Sequence, residues 1–215
     1  MSRVRAKICG LKTTDMVHVA VDAGADAVGF VFFPPSPRAV TPDEVLSLTA
    51  SARTVKRVGL FVDPDDDLLH DASDAGELDL IQLHGSESPE RVAEIRDLTG
   101  IEVMKAIKVE NADDFACVSA YEEVADWLLF DAKAPKAMKN ALPGGNGISF
   151  DWTLLADRNW VKPWMLSGGL TVDNLVDAVR VSGAAWVDVS SGVEARPGEK
   201  SADLIRQFIE QVNSI

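Results

Sequence analysis

The segment PWMLSGGLTVDNLVDAVRVSGAAWVDVSSG, residues 163–192, contains one complete strand–helix–strand pattern. Two short apolar runs, each ending in serine and glycine, flank a stretch whose apolar residues recur with the period of a helix. A strand that is followed by a helix and then by a second strand forms a parallel pair through a right-handed crossover. The segment therefore predicts a parallel sheet with open, glycine-rich turns at the ends of two strands.

The same alternation runs along the whole chain. Amphipathic stretches with helix-start signals, such as Thr41-Pro42-Asp43-Glu44, separate the apolar runs. Eight such units predict a closed, single-domain (β/α)₈ barrel over residues 1–215. An open doubly wound sheet is the alternative, but no G-x-G-x-x-G sequence follows the first run. The predicted strands are VRAKIC (4–9), AVGFVFF (27–33), RVGLFV (57–62), DLIQLHG (79–85), EVMKAIKV (102–109), WLLFDA (127–132), PWMLSG (163–168) and WVDVSSG (186–192).

The composition excludes several kinds of partner. With 21 Lys and Arg against 34 Asp and Glu, the chain carries a net charge of −13, which argues against nucleic acid binding. It has no apolar run long enough to span a membrane and no signal-peptide pattern, so we expect a cytoplasmic protein with no membrane partner. Two cysteines make neither a disulfide framework nor a metal cluster. Because the net negative charge repels anions, an anionic ligand must be held by local groups.

The last two predicted strands end in sequences that suit a phosphate group. Gly168 and Gly169 follow strand seven, and Ser190, Ser191 and Gly192 follow strand eight. Glycine lets the backbone come close to a phosphate, and the N–H groups that follow can bind it without a cation. Each sequence alone is equally consistent with a tight turn. Because both lie where barrels of this kind bind phosphate, together they predict a phosphate-binding site.

The first strand places a thiol at the same end of the barrel. The period of two puts Lys7 and Cys9 on one face, which we expect to point into the barrel. Lys7 is expected to lower the pKa of Cys9 and so to help form a thiolate that takes a proton or attacks carbon. A lone cysteine in a strand is also often just a small buried side chain. Asp188, inward on strand eight, is expected to pair with Lys7.

Three further side chains follow predicted strands. Asp131 ends the apolar strand six, where burial favours the protonated carboxyl of a general acid; a loop cap or an ion pair with Lys133 is the alternative. Arg38 lies in a proline-rich segment after strand two and is either a carboxylate-binding group or an ordinary surface arginine. His84 ends strand four, as a site residue or a structural hydrogen-bonding group. The long, Gly-, Pro- and Lys-rich connection 133–149 is expected to be functional.

Taken together, these segments resemble the phosphoribosylanthranilate isomerase family of tryptophan biosynthesis. The resemblance extends from residue 7 to residue 200, with Asn146 where many members carry threonine, and with a longer lysine-rich stretch before it. It rests on KICGL, GFVFFPPSPR, VGLFV, IQLHG, LFDAK, GGNGISFDW, LSGGL and VDVSSGVEARPGEK, in that order.

The resemblance implies a (β/α)₈ barrel without cofactor or metal that catalyses an Amadori rearrangement. In that reading Asp131 is the general acid, Cys9 is the general base, and Arg38 holds the anthranilate carboxylate. The glycine and serine loops hold the phosphate, and Lys7, His84 and Asp188 contribute to the substrate site. The partner is then a small phosphorylated substrate, and the protein is a monomer or a homodimer.

Three rival interpretations remain open at this stage. A histidine-pathway aminoaldose isomerase resembles this chain in mechanism but carries aspartate at the position of Cys9. An indole-glycerol-phosphate synthase needs a lysine and glutamate constellation and usually an N-terminal extension. A catalytically inactive barrel that only binds a sugar phosphate is disfavoured because both Cys9 and Asp131 are present.

Overall fold

The computed structural model describes residues 3–135, 138 and 142–215. Eight parallel strands follow one another around a closed barrel, with β8 paired to β1, so the predicted barrel is confirmed. Strand boundaries differ from the predicted ones by a few residues. The barrel strands are β1 (Arg5–Cys9), β2 (Ala27–Phe32), β3 (Lys56–Phe61), β4 (Leu80–Leu83), β5 (Glu102–Val109), β6 (Trp127–Ala132), β7 (Trp164–Leu166) and β8 (Trp186–Val189).

Seven α-helices accompany the strands in the part of the chain that the structure describes. The start signal at Thr41 is a full capping box, in which the Thr41 side chain accepts from the Glu44 N–H and the Glu44 side chain accepts from the Thr41 N–H. The α-helices are α1 (Thr14–Ala23), α2 (Pro42–Ala50), α3 (Asp66–Gly76), α4 (Pro89–Thr99), α5 (Val118–Val124), α6 (Leu175–Ser182) and α7 (Ala202–Asn213).

Two connections depart from the regular strand–helix repeat. Between β6 and β7, the described residues contain a short 3₁₀ helix (Trp152–Leu155) and no α-helix. After β8, a 3₁₀ turn (Ser191–Val193) leads into an antiparallel hairpin of β9 (Glu194–Arg196) and β10 (Glu199–Lys200) before α7 begins. The sequence pattern predicted neither feature, because each is too short to show a period.

The barrel interior changes character from one end to the other. Near the N-terminal ends of the strands it is filled by apolar side chains, with Trp127 packed edge-on against Trp186 at 5.5 Å between ring centroids. Nearer the C-terminal ends, the interior side chains are polar and buried, among them Lys7, Gln82 and Asp188. The barrel therefore rests on an apolar base and carries a polar layer just below its C-terminal mouth.

A second apolar core fills the space between the strands and the surrounding helices, with members from Val4 to Val212. Among the described residues, no helix is long and apolar enough to cross a membrane.

Candidate active site

A pocket opens at the C-terminal ends of the strands, with about 740 Å³ of free space including the solvent at its mouth. That size suits a small organic ligand. Residues from separate parts of the chain meet there because parallel strands all end at the same side of a barrel. Of the side chains and loops singled out from the sequence, those that line it are Cys9, Arg38, His84, Asp131, Gly168, Gly169, Asp188, Ser190 and Ser191.

Lys7 lies in the polar layer of the barrel and is fully buried. Its Nζ donates to Asp188 Oδ1 at 2.9 Å, which confirms the predicted pair, and to Gln82 Oε1 at 2.8 Å. The other Asp188 oxygen accepts from the Ser167 hydroxyl at 3.0 Å. Burial lowers the pKa of Lys7, but the neighbouring Asp188 and Cys9 outweigh burial and raise it, so Lys7 is a cation.

Cys9 ends β1 beside Lys7, and both side chains lie against Gly29 of β2. A Cβ at Gly29 would come within 2.9 Å of Cys9 Sγ and 3.1 Å of Lys7 Nζ, so only glycine leaves room for the pair. Burial raises the pKa of the Cys9 thiol above its ordinary value, and the opposing pull of Lys7 is smaller. The expected lowering of this pKa is therefore wrong in its net direction, because Lys7 is shared with Asp188 and Cys9 is desolvated.

Asp131 ends β6 and is almost fully buried. Its Oδ1 accepts from the Ala132 N–H at 2.9 Å, and its Oδ2 lies 3.0 Å from Nε2 of His84. The alternative ion pair between Asp131 and Lys133 is not formed, since Lys133 bonds Asp114 at 2.8 Å. Asp131 therefore faces the pocket with the histidine as its side-chain partner.

Arg38 is buried in the pocket wall, not on an open surface. Its Nε and Nη2 donate to the two carboxylate oxygens of Glu194 at 2.7 and 2.9 Å, and Nη2 also contacts the Gly145 carbonyl at 3.2 Å. The fork that was expected to be free for a ligand carboxylate is thus occupied by Glu194. Within the described part of the chain, Nη1 donates to no protein acceptor and is the end of the guanidinium left for a ligand.

Glu194 also joins Arg38 to a second cation. Lys200 of β10 donates to Glu194 Oε1 at 2.8 Å and to the Ser190 carbonyl at 2.9 Å. Burial opposes the charged form of Glu194, but Arg38 and Lys200 outweigh burial and lower its pKa. The hairpin after β8 therefore orients both Arg38 and the Ser190 loop.

The loop after β7 has an open, glycine-dependent backbone geometry that suits the predicted phosphate site. Gly168 and Gly169 have φ of 89° and 61°, in the region that favours glycine. The N–H groups of these two residues donate to no protein acceptor in the portion of the chain that the structure describes. Gly192 does not line the pocket; a Cβ there would collide with the Leu170 carbonyl, so close packing requires glycine.

The connection after β6 covers the acid and the arginine. A Cβ at Gly144 would lie 2.7 Å from His84 Nε2, and one at Gly145 would lie 2.6 Å from Arg38 Nη1. Asn146 closes this turn, since its amide donates to the Leu142 carbonyl at 2.7 Å and accepts from the Leu142 N–H at 3.0 Å. The expectation about the 133–149 connection is thus supported for 142–149, while part of its lysine-rich stretch, at 136, 137 and 139–141, lies outside the described residues.

Sequence reasoning missed four residues of this site: Gly29, Gln82, Glu194 and Lys200. The period of two in IQLHG places Gln82 on the same face as His84, so that signal was available. Glu194 and Lys200 act through an unpredicted hairpin, and Gly29 acts by the absence of a side chain. None of these three has a local sequence signal.

The fold is a closed (β/α)₈ barrel, and a thiol, a carboxyl and an arginine surround a pocket at its C-terminal mouth. Active sites of (β/α)₈ enzymes lie at this end of the barrel, so the fold and the site define an enzyme of this class. A sequence profile of the family N-(5'-phosphoribosyl)anthranilate (PRA) isomerase matches residues 6–211. The chain belongs to this family.

Individual relatives agree with the family assignment. The N-(5'-phosphoribosyl)anthranilate isomerase of Paramagnetospirillum magneticum is 55% identical over 208 residues, which cover 96% of each chain. The crystal structure of phosphoribosyl anthranilate isomerase from Thermotoga maritima has a TM-score of 0.87 at 37% identity, covering 99% of this chain and 100% of that one.

A further crystal structure of the isomerase, in complex with reduced 1-(o-carboxyphenylamino)-1-deoxyribulose 5-phosphate, has a TM-score of 0.84 at 35% identity, with 99% and 100% coverage. The ligand bound to that protein is a phosphorylated sugar joined to a carboxyphenylamino group.

Proposed function

We propose that this protein isomerises N-(5-phosphoribosyl)anthranilate to 1-(2-carboxyphenylamino)-1-deoxyribulose 5-phosphate in tryptophan biosynthesis. The reaction is an Amadori rearrangement, an aldose–ketose isomerisation within one molecule. One observation carries the proposal: Cys9 from β1 and Asp131 from β6 face one pocket whose rim holds both Arg38 and the glycine-rich loops. Opening an aminal ring and moving a proton needs one acid and one base at the same sugar.

In the first step Asp131 acts as the general acid. It gives its proton to the ribose ring oxygen, the bond from C1 to that oxygen breaks, and the nitrogen lone pair forms a C1=N bond. The product is an open-chain protonated Schiff base and an Asp131 carboxylate. The Ala132 N–H then stabilises the new negative charge, since it already donates to Asp131 Oδ1.

In the second step the Cys9 thiolate acts as the general base. It removes the proton from C2, the C–H electron pair forms a C1=C2 bond, and the C1=N electrons return to nitrogen to give an enolamine. The enolamine then tautomerises to the ketone as the C2 hydroxyl loses its proton and C1 gains one. Lys7, held by Asp188, stabilises the thiolate on which this step depends.

Substrate binding is assigned to groups at the pocket rim. The N–H groups of Gly168 and Gly169, together with Ser190 and Ser191, are proposed to hold the phosphate. Arg38 Nη1 is proposed to hold the anthranilate carboxylate end-on, while Glu194 fixes the other side of the guanidinium. Neither group requires a net positive surface, which the chain lacks.

The test follows the loss of anthranilate-type fluorescence from enzymatically generated substrate. Wild type is expected to turn over, and Cys9→Ser and Asp131→Asn are each expected to lose about 10²-fold or more in kcat. Cys117→Ser and Asp177→Asn are matched controls at exposed positions and are expected to keep wild-type rates. If the wild type binds a product analogue but never turns over the substrate, the proposal is wrong and the protein is a sugar-phosphate-binding barrel without this activity.

A further inference from the structure

Gln82 is a fully buried polar side chain that the proposed reaction steps do not use. It lies on β4 inside the barrel, between the Lys7 and Cys9 pair on one side and Asp131 on the other. Its Oε1 accepts from Lys7 Nζ at 2.8 Å, and its Nε2 lies 2.9 Å from Nδ1 of His84. His84 in turn places Nε2 3.0 Å from Asp131 Oδ2. A continuous hydrogen-bonded chain therefore runs from Lys7 to Asp131.

The direction of each hydrogen bond in this chain follows from the chemistry of its first member. A lysine ammonium only donates, so the atom of Gln82 that faces Lys7 must be the carbonyl oxygen. The amide nitrogen, which only donates, must then face His84. The Nδ1 atom of His84 must accept, and it therefore carries no hydrogen. A neutral imidazole with a bare Nδ1 has its hydrogen on Nε2, the atom that faces Asp131.

We propose that Gln82 is a positioning residue that holds His84 as the Nε2–H tautomer and so aims an N–H group at Asp131. The other tautomer would present a lone pair to the carboxylate. Gly144 supports the arrangement, because a Cβ there would lie 2.7 Å from Nε2 and 3.0 Å from Asp131 Oδ2 and would force the two apart.

The consequence for catalysis rests on the proposed function. When Asp131 gives its proton to the ring oxygen, negative charge develops on its two oxygens. The Ala132 N–H meets that charge at Oδ1, and the His84 N–H meets it at Oδ2. Donors that are already oriented toward a developing charge lower the barrier without reorganisation. Gln82 therefore acts through His84 and touches no substrate itself.

The decisive measurement is the protonation pattern of His84 in the wild-type protein, from ¹H–¹⁵N correlation spectra of the imidazole nitrogens at neutral pH. The chain has three histidines, and His18→Gln and His70→Gln at exposed helix positions identify the signals of His84. We expect hydrogen on Nε2 and none on Nδ1. Hydrogen on Nδ1, alone or on both nitrogens, would overturn the proposal, and the spectrum needs neither a variant of Gln82 nor any turnover.

The variant Gln82→Glu tests the link to catalysis. A carboxylate at this position accepts from Lys7 and also demands a donor from His84, so Nδ1 gains hydrogen and the neutral ring no longer carries hydrogen on Nε2. We expect that change in the spectrum together with a fall in kcat of about 10²-fold and a KM within a few-fold of wild type. Leu80→Met, a buried substitution two residues earlier on the same strand, should leave both spectrum and kcat unchanged.

Two results separate this inference from the proposed function. An unchanged kcat in a Gln82→Glu protein whose His84 carries hydrogen on Nδ1 and none on Nε2 would refute the catalytic role of the tautomer. Hydrogen on both nitrogens of that variant would refute the expected change of tautomer. An inactive wild type that still shows the Nε2–H tautomer would remove the proposed reaction while leaving the hydrogen-bonded chain intact.

Discussion

Each buried cation of the site has a carboxylate partner. Lys7 pairs with Asp188, and Arg38 and Lys200 share Glu194. Taking such groups out of water is costly, and the partner carboxylates recover much of that cost. As a result, the pocket is not a strongly cationic surface that attracts any anion. In the proposed function, oriented backbone N–H groups and Nη1 of Arg38 bind the phosphorylated ligand, so a chain of net charge −13 needs no cationic surface to bind an anion.

The raised pKa of Cys9 makes a prediction about pH. Burial favours the thiol, and in the proposed function the general base is the thiolate. The limb of the kcat/KM profile that reports this base should therefore rise with pH through the neutral range and end only above the pH at which an ordinary thiol ionises. The measurement is initial rate at low substrate across pH, beside a titration of thiolate ultraviolet absorbance in Cys117→Ser, from which the absorbance of the double variant Cys9→Ser/Cys117→Ser is subtracted. A thiolate already present at neutral pH would contradict the prediction.

The same shift has a consequence for stability. A group whose pKa is higher in the folded than in the unfolded chain stabilises the fold while it is protonated, and that contribution is lost as the pH rises through the folded value. Cys9 is such a group, and so is Lys7. The free energy of unfolding should therefore decline at alkaline pH, and less steeply in Cys9→Ser.

The contacts that the sequence could predict are those that depend on a strand period. Alternation in β1 and β8 placed Lys7 and Asp188 face to face, and the pair is formed. Alternation could not reveal that Glu194 occupies Arg38. The two residues are 156 positions apart, and they meet only because the hairpin after β8 packs against the segment after β2. Nor could it weigh burial of Cys9 against attraction by Lys7, since burial depends on the whole barrel.

At the level of elements, the loop after β4 is fixed by a buried ion pair outside the barrel lumen. Lys105 of β5 donates to Glu87 at 2.8 Å and to the Gly85 carbonyl at 3.0 Å. Glu87 also accepts from the N–H groups of Asp63 and Gly85, so one carboxylate joins the loops after β3 and β4. Because His84 directly precedes this loop, the pair helps to hold the end of β4 in place.

Removal of one partner of that pair should be strongly destabilising. Glu87→Ala leaves a buried, uncompensated Lys105, and we expect the free energy of unfolding to fall by about 3 to 5 kcal/mol. Asp177→Ala, which breaks an exposed pair with Arg180, should cost below about 1 kcal/mol. Urea unfolding of both variants gives the comparison. Equal, small losses in the two proteins would show that Lys105 finds water or another partner.

Element prediction succeeded where a run was long enough to show its period and failed where tertiary contacts replaced it. The capping signal at Thr41 begins a helix as expected. The crossover between β6 and β7 gave a different result: its described residues form a 3₁₀ turn in place of an α-helix. There Trp160 packs on Phe130 at 4.7 Å between ring centroids, so aromatic side chains cover the strand where a helix would have done so.

At the scale of the whole molecule, barrel closure links the two ends of the chain. β1 pairs with β8 through four residue pairs, from Arg5 with Trp186 to Ile8 with Val189. Helix α7 contributes Phe208, Ile209 and Val212 to the same outer core that contains Val4 and Ile8. Each strand has two neighbours and the outer core is continuous, so loss of one strand exposes apolar surface on both sides of it.

This continuity predicts that the chain unfolds as one unit, in agreement with one domain over residues 1–215. Far-ultraviolet circular dichroism reports the helices, while emission of Trp127 and Trp186 reports the barrel base, and that of Trp152, Trp160 and Trp164 the side near β6 and β7. In urea both signals should give the same midpoint. Separate midpoints would mean that the short β7, joined to β8 by one residue pair, opens first and divides the barrel.

The same urea experiment, repeated at a hundredfold higher protein concentration, tests the oligomeric state. A midpoint that stays fixed indicates a monomer, and a midpoint that rises indicates a homodimer.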